Sequence, residues 1–413
     1  MDITARGGAT VGAIGGHIVF HDSSSTSGSA FDALRAEGAS VVGATGGEII
    51  FRDAALVTRM TGVVVSGGMS AGALGGRASY QGRAQNTGGV SVRAGQSGGL
   101  GGRIESDGNT VFRGTSNIYA EGGNSALAGS EGVVSFRGDA IFMGSAYLGA
   151  GNAAGAHGGR IDFFDRASHD TTRFAPVSGN LGIYKVGAVQ SGARGGALVF
   201  HDDSAIRGTC LVIANQTAEF LAPGAFAGST SFLDRSRAGQ VTIDNAGAGG
   251  AGAFGGAIYF SHQSNAENAS ITSFGRVAHG AGGGSTLFSD SASAASASLN
   301  NAGGSAAGEA QRSSRIRVRR KTRPSTTRAA RSRSMRSPGS RNPPRPATPG
   351  SPTSAAMRRV PAAASAGLLA GPRSSSPNRP LATPRLMAAA PPWPARRAAV
   401  SASRISRPQV DRR

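Results

Sequence analysis

Apolar and polar residues alternate in short bursts along the first three quarters of the chain. Each burst opens on a glycine pair and closes on an aspartate. The bursts read Gly15-Gly16-His17-Ile18-Val19-Phe20-His21-Asp22 and Gly46-Gly47-Glu48-Ile49-Ile50-Phe51-Arg52-Asp53. They return as Gly158-Gly159-Arg160-Ile161-Asp162-Phe163-Phe164-Asp165 and Gly195-Gly196-Ala197-Leu198-Val199-Phe200-His201-Asp202. Degenerate copies end at Phe232-Leu233-Asp234, Phe260-Ser261-His262 and Phe288-Ser289-Asp290. Within a burst the period is two (Ile18/Phe20, Ile49/Phe51, Ile161/Phe163, Leu198/Phe200), which predicts strands with one face inward. A second short strand follows, clearest in Gln240-Val241-Thr242-Ile243-Asp244-Asn245 and Ala269-Ser270-Ile271-Thr272. Gly, Ala, Asn and Ser clusters between strands break helices and supply turns.

The aromatics Phe200, Phe232, Phe260 and Phe288 lie 32, 28 and 28 residues apart. A fixed period in this range marks stacked repeats. The expected fold is all-β, a parallel β-solenoid of about ten coils, degenerate between Gly76 and Phe136 and with its register open over residues 76–157. Energetics favour stacking. Ordering backbone costs about 1–2 kcal/mol per residue, whereas each inward Ile or Phe returns only about 1.5–3 kcal/mol. One coil cannot fold alone; stacked coils share ladder hydrogen bonds and bury continuous side-chain columns.

The unit Phe232-Leu233-Asp234-Arg235-Ser236-Arg237-Ala238-Gly239-Gln240-Val241-Thr242-Ile243-Asp244-Asn245 resembles the passenger repeats of bacterial autotransporter and other adhesin-like surface proteins. Those repeats follow F-x-D-x-S-x-A-G-x-A-x-I-x-N, with GG-x-x-x-F opening the next unit. The resemblance covers roughly residues 7–308, strongest over 195–308. It implies a right-handed parallel β-helix at the cell surface or released from it. The role implied is structural and adhesive, with an unknown ligand on host, matrix or a neighbouring cell as partner.

Charge changes the picture only at one end. Residues 1–310 hold 19 Lys+Arg and 22 Asp+Glu, whereas residues 311–413 hold 24 and 1. Proline splits 2 to 16 and glycine 61 to 4 across the same boundary. Two compositions are therefore joined near residue 308: a Gly-rich solenoid region, 1–308, and an Arg/Pro/Ser/Ala-rich tail, 309–413, expected to be disordered. As a genuine arm the tail would bind nucleic acid or another polyanion through counterion release. A second reading comes from joining the third base of each codon to the first two of the next. In that frame Gly308/Glu309 and Glu309/Ala310 permit Gly-Gly, Ser313/Ser314 permits Phe and Arg315/Ile316 permits Asp. This is the repeat's own GG-x-x-x-F-x-D spacing, and the expectation is a frameshift between residues 304 and 308. The lone Cys210 excludes an internal disulfide framework, and no apolar run is long enough for a membrane-spanning helix. The start, Met1-Asp2-Ile3-Thr4, carries no export signal pattern. Opening inside repeat-like sequence and showing no polar capping repeat, the chain reads as a fragment of a longer surface protein.

Candidate chemistry is sparse. Asp22, Asp53, Asp165, Asp202, Asp234 and Asp290 recur two residues beyond each aromatic. An active site is needed once, so a residue in nearly every copy reads as a turn position that bonds its own backbone and tolerates left-handed angles. The pairs His21-Asp22 and His201-Asp202 are adjacent, and alternation sends neighbours to opposite faces. Gly68-Met69-Ser70-Ala71-Gly72 and Gly95-Gln96-Ser97-Gly98-Gly99 fit G-x-S-x-G without the helix a nucleophile elbow requires. Gly247-Ala248-Gly249-Gly250-Ala251-Gly252 fits G-x-G-x-x-G without a βαβ context. Asn215-Gln216-Thr217 and Asn268-Ala269-Ser270 are formal glycosylation sequons. No residue is assigned as catalytic, cofactor-binding or metal-binding, and no cofactor is implied. The alternative, an enzyme of the β-helix polysaccharide lyase or hydrolase class, would place its site in the irregular stretch 166–195, with Asp165 and Lys185 as the residues to test.

Overall fold

The computed structural model describes residues 2–26, 33–58, 61–113, 117–172, 181–209, 211–216 and 222–304, together with the backbone of a strand at Arg315–Val318. Cys210, Trp393, the codon-frame junction and the rest of the basic tail lie outside the described residues. Among the described residues every regular element is a strand, and every strand pairing is parallel. The chain winds through three faces in fixed order. One eleven-stranded face begins at Ile3–Ala5, Ala33–Ala36 and Gly62–Val65 and runs to Ser298–Ala302. A second, also eleven-stranded, begins at His17–Phe20 and Glu48–Phe51 and runs through Ser285–Phe288 to Arg315–Val318. In both, neighbours in the sheet are successive strands of that face along the chain, which is the topology of a β-solenoid. At about 4.8 Å per step, ten steps make a ladder of about 48 Å. The last rung, where Thr286 pairs with Ile316 and Phe288 with Val318, lies beyond residue 308.

The third face is one that period-two patterning did not predict. Its strands, among them Leu56–Val57, Gln85–Asn86, Val111–Phe112 and Ile141–Phe142, are too short to show alternation. Isolated parallel bridges carry the face further in both directions, Ser25 to Leu56 at one end and Arg237 to Asn265 to Ser293 at the other. Each coil is thus three-sided.

An aromatic column fills the interior. Phe163, Phe200, Phe232, Phe260 and Phe288 stack face to face with centroids 4.7–4.9 Å apart, close to the strand spacing that sets their separation. The column crosses the degenerate region by exchanging its source. Strand Arg103–Ser106 places Ser106 at the register position of Tyr80 and Phe136. Phe112, from the third face, turns in to contact Tyr80 at 4.7 Å and Phe136 at 5.2 Å. The Ser106 hydroxyl is tied to that of Thr110. A coil lacking its Phe in sequence therefore still presents an aromatic to the core.

The glycine pairs answer to the axial stacking of coils. A Cβ on Gly46 would sit 2.3 Å from the carbonyl oxygen of Gly75, and one on Gly75 would sit 2.2 Å from that of Gly101. Successive corners approach so closely that only hydrogen fits. Small alanine clusters (Ala39, Ala44 and Ala73 at one end; Ala225, Ala248, Ala253 and Ala281 at the other) fill the corner loops.

Candidate functional site

The repeated aspartates occupy a turn with φ between 51° and 58°, left-handed backbone that Asp tolerates better than most residues. The carboxylates of Asp165, Asp202 and Asp234 reach along the axis instead of bonding their own backbone. Asp165 accepts the N–H of Gly138 at 3.0 Å, Asp202 that of Asp165 at 3.0 Å, and Asp234 that of Asp202 at 3.2 Å. His262 continues the series, its Nδ1 accepting from Asp234 N–H at 3.3 Å. Each carboxylate thus ties its coil to the one before. Beside it runs a surface row of alternating sign: Arg166 binds Asp139 through two bonds of 2.7 Å, and Arg235 binds Asp203 through bonds of 2.7 and 2.6 Å. The Arg166 and Arg235 guanidinium groups hold the Asp139 and Asp203 carboxyls below the usual range.

The two residues singled out for lyase chemistry are not brought together. Asp165 is exposed at its turn, whereas Lys185 is fully buried. Lys185 stands in an inward column of the first face, in register with Leu148 before it and Asn215 after it. Below it the core becomes polar. Asn215 donates to the Asn245 carboxamide oxygen at 2.9 Å and accepts from the Thr230 hydroxyl at 3.1 Å. Asn245 donates to the Ser285 carbonyl at 2.8 Å, and Ser273 bonds Thr286 at 3.0 Å. The ladder is mutually satisfied. The Lys185 amine has no hydrogen-bond partner, and burial pushes its pKa well below the ordinary lysine value. In the same coil His169 is fully buried, its Nε2–H donating to the Gly144 carbonyl at 3.0 Å, and burial lowers its pKa to about 4.

The remaining motifs resolve into scaffold positions. His201 stacks on Phe164 at 4.4 Å and lies 3.7 Å from Asp162 of the preceding coil, turned away from its neighbour Asp202. The Ser70 hydroxyl donates to the Ser40 carbonyl at 2.8 Å, and Ser97 sits at φ 46° in an equivalent corner loop. Asn215 of the first sequon is buried in the ladder just described, while Asn268 is exposed. Gly247–Gly252 is one of the alanine-filled corners. Among the described residues no group of three or more His, Cys, Asp or Glu gathers as a metal site, and no helix is long and apolar enough to cross a membrane.

One surface feature escaped the motif reading because it is assembled across coils. Where the first face turns into the glycine corner, two adjoining grooves of about 540 and 420 Å³ share Glu121. Glu37, Arg93 and Glu121 occupy corresponding positions just after their strands. Glu121 is held by the N–H of Ala94 at 3.3 Å. Gln96 and Asn124 line the first groove and Asn152 the second, with Asn152 donating to Asn124 at 3.2 Å. The second also carries Tyr119 and Tyr147, stacked at 5.3 Å and 41 % and 42 % exposed. Glu37 and Glu121 are three strand steps apart, about 14 Å, beyond the roughly 5–9.5 Å that separates paired carboxyls in glycoside hydrolysis. In comparisons with known proteins, no protein-family model, no curated protein and no solved structure matches the chain.

Proposed function

We propose that the solenoid is a passenger-type segment of a bacterial cell-surface or secreted repeat protein, with a structural and adhesive role. The observation that carries this reading is the use made of the repeated aspartates. Asp165, Asp202 and Asp234 are each committed to an N–H of the preceding coil, which favours axial extension and rigidity. Parallel ladders, glycine corners and an aromatic column all serve the same end, a stiff support presenting outward columns at strand spacing. Rigidity of this kind suits a spacer or adhesive surface, whose contacts add up when many positions are displayed together.

The test is retention. Beads coated with the full chain, and beads coated with an unrelated protein, are passed over immobilised epithelial cells and extracellular matrix under flow. Retention well above the control supports the adhesive reading, and equal washout on every surface sinks it. The lyase alternative is assayed in parallel on polyuronate; cleavage by the parent chain that is lost on Asp165→Ala would replace the adhesive reading with an enzymatic one.

A further inference from the structure

We propose that the groove at the corner of the first face is a binding site for an extended, uncharged glycan, with successive sugar residues following successive coils. The inference rests on the adhesive reading and names its ligand class. The groove runs parallel to the solenoid axis, because its lining residues recur at equivalent positions in neighbouring coils. From Glu37 to Val186 there are five strand steps, about 24 Å. An extended β-linked pyranose chain repeats at close to the coil spacing, so successive sugars would meet the side-chain amides of Gln96, Asn124 and Asn152 in turn.

Those groups suit hydroxyls. The amides of Gln96, Asn124 and Asn152 both donate and accept, and the Asn124–Asn152 bond fixes their orientation in advance. Glu121, anchored by Ala94 N–H, offers an acceptor. Tyr119 and Tyr147 stack on each other, line the second groove and are partly exposed, offering apolar ring surface together with a polar hydroxyl. Tyr184, 41 % exposed, continues the row and lies down over Gly182, where a Cβ would come within 2.3 Å of its ring. A ring lying flat on the sheet offers a face on which a sugar can stack. The charged residues of the groove, Glu37, Arg93 and Glu121, sum to −1, which disfavours a polyanionic chain.

The experiment is isothermal titration of the full chain with cellohexaose, xylohexaose and N-acetylchitohexaose, and with hexagalacturonate as the anionic probe. At least one neutral probe is expected to bind saturably, and hexagalacturonate to bind more weakly. Tyr147→Ala and Asn152→Ala, both at exposed positions, should each weaken that binding about tenfold, a change of about 1.4 kcal/mol. Tyr259→Ala removes an equally exposed tyrosine on the second face and should leave it unchanged. Absence of saturable binding by every neutral probe, preference for hexagalacturonate, or binding unmoved by both groove variants would overturn the proposal. Glycan failure with retained bead adhesion removes only the groove assignment, whereas glycan binding without bead retention removes only the adhesive role.

Discussion

Lys185→Met asks whether the solenoid core holds an uncharged lysine. The wild-type amine is fully buried with no hydrogen-bond partner. The carboxamide oxygen of its register neighbour Asn215 already accepts from Thr230, and the backbone of Gly228 packs against the Lys185 stem. Desolvation penalises the ammonium form, so the folded-state pKa falls well below 10.5. In the unfolded chain the amine titrates near the ordinary value. Between the folded and unfolded pKa values the unfolded state binds one more proton, and stability rises with pH by about 1.4 kcal/mol per unit. Above the unfolded pKa the penalty disappears; as pH falls below it, stability is lost until the folded pKa is reached. Methionine keeps an unbranched side chain of similar size and removes the titration. Urea unfolding followed by far-ultraviolet circular dichroism, repeated from pH 10 down to pH 7, should therefore show Lys185→Met more stable than wild type. The gap should widen by about 1.4 kcal/mol for each unit of pH lowered until the folded-state pKa is reached, and shrink toward pH 10.5. Hydrogen exchange at the Ile183 and Ile213 amides would localise the effect. Parallel pH profiles, or a wild type more stable at pH 7, would show that the amine is charged and solvated in the folded state.

Four further outcomes follow from the same structure. His169→Phe should flatten the acid limb: with the folded pKa lowered to about 4, wild-type stability falls as pH drops from 6.5 toward 4, and the difference between the two urea profiles in that window reads the imidazole directly. Phe232→Ala, in a fully buried ring stacked on both sides, should cost about 3–5 kcal/mol in urea unfolding, against clearly less for the half-buried Phe20; equal losses would count against a continuous column. Gly46→Ala should destabilise more than Gly12→Ala, although only Gly12 has a positive φ, because the new Cβ meets the Gly75 carbonyl at 2.3 Å while nothing lies within 4 Å of Gly12. The left-handed strain at Gly12 alone is about 1–2 kcal/mol. Asp202→Asn keeps an acceptor and a tolerated backbone angle and should be close to neutral; Asp202→Ala leaves the Asp165 N–H without its partner and should cost about 1–3 kcal/mol, with faster exchange of that amide.

Much of the scaffold was legible because a solenoid repeats its physical problem. Ile and Phe two apart, recurring near 28 residues, place the second face so directly that Phe200, Phe232, Phe260 and Phe288 are register partners along one ladder. The third face was hidden because two-residue strands such as Gln85–Asn86 have no period to detect. The degenerate stretch looked broken because its aromatic, Phe112, is displaced six positions from the Ser106 it replaces. Left-handed angles were readable from the aspartates; their axial partners were not, since 37 residues separate Asp165 from Asp202. Lys185 gave no sign of burial, because a lone lysine in an alternating strand reads as an outward residue.

Alternation, glycine spacing and repeat length were sufficient for the all-β solenoid, because those features follow from backbone geometry and from the burial of one strand face. The stacking of coils settled the rest: which glycines must lack a Cβ, which aromatic fills each level of the core, where the lysine amine ends up, and how Glu121, Asn152 and Tyr147 come to line one groove. These outcomes depend on residues about one coil apart meeting across 4.8 Å, a neighbourhood that exists only after the chain has wound upon itself.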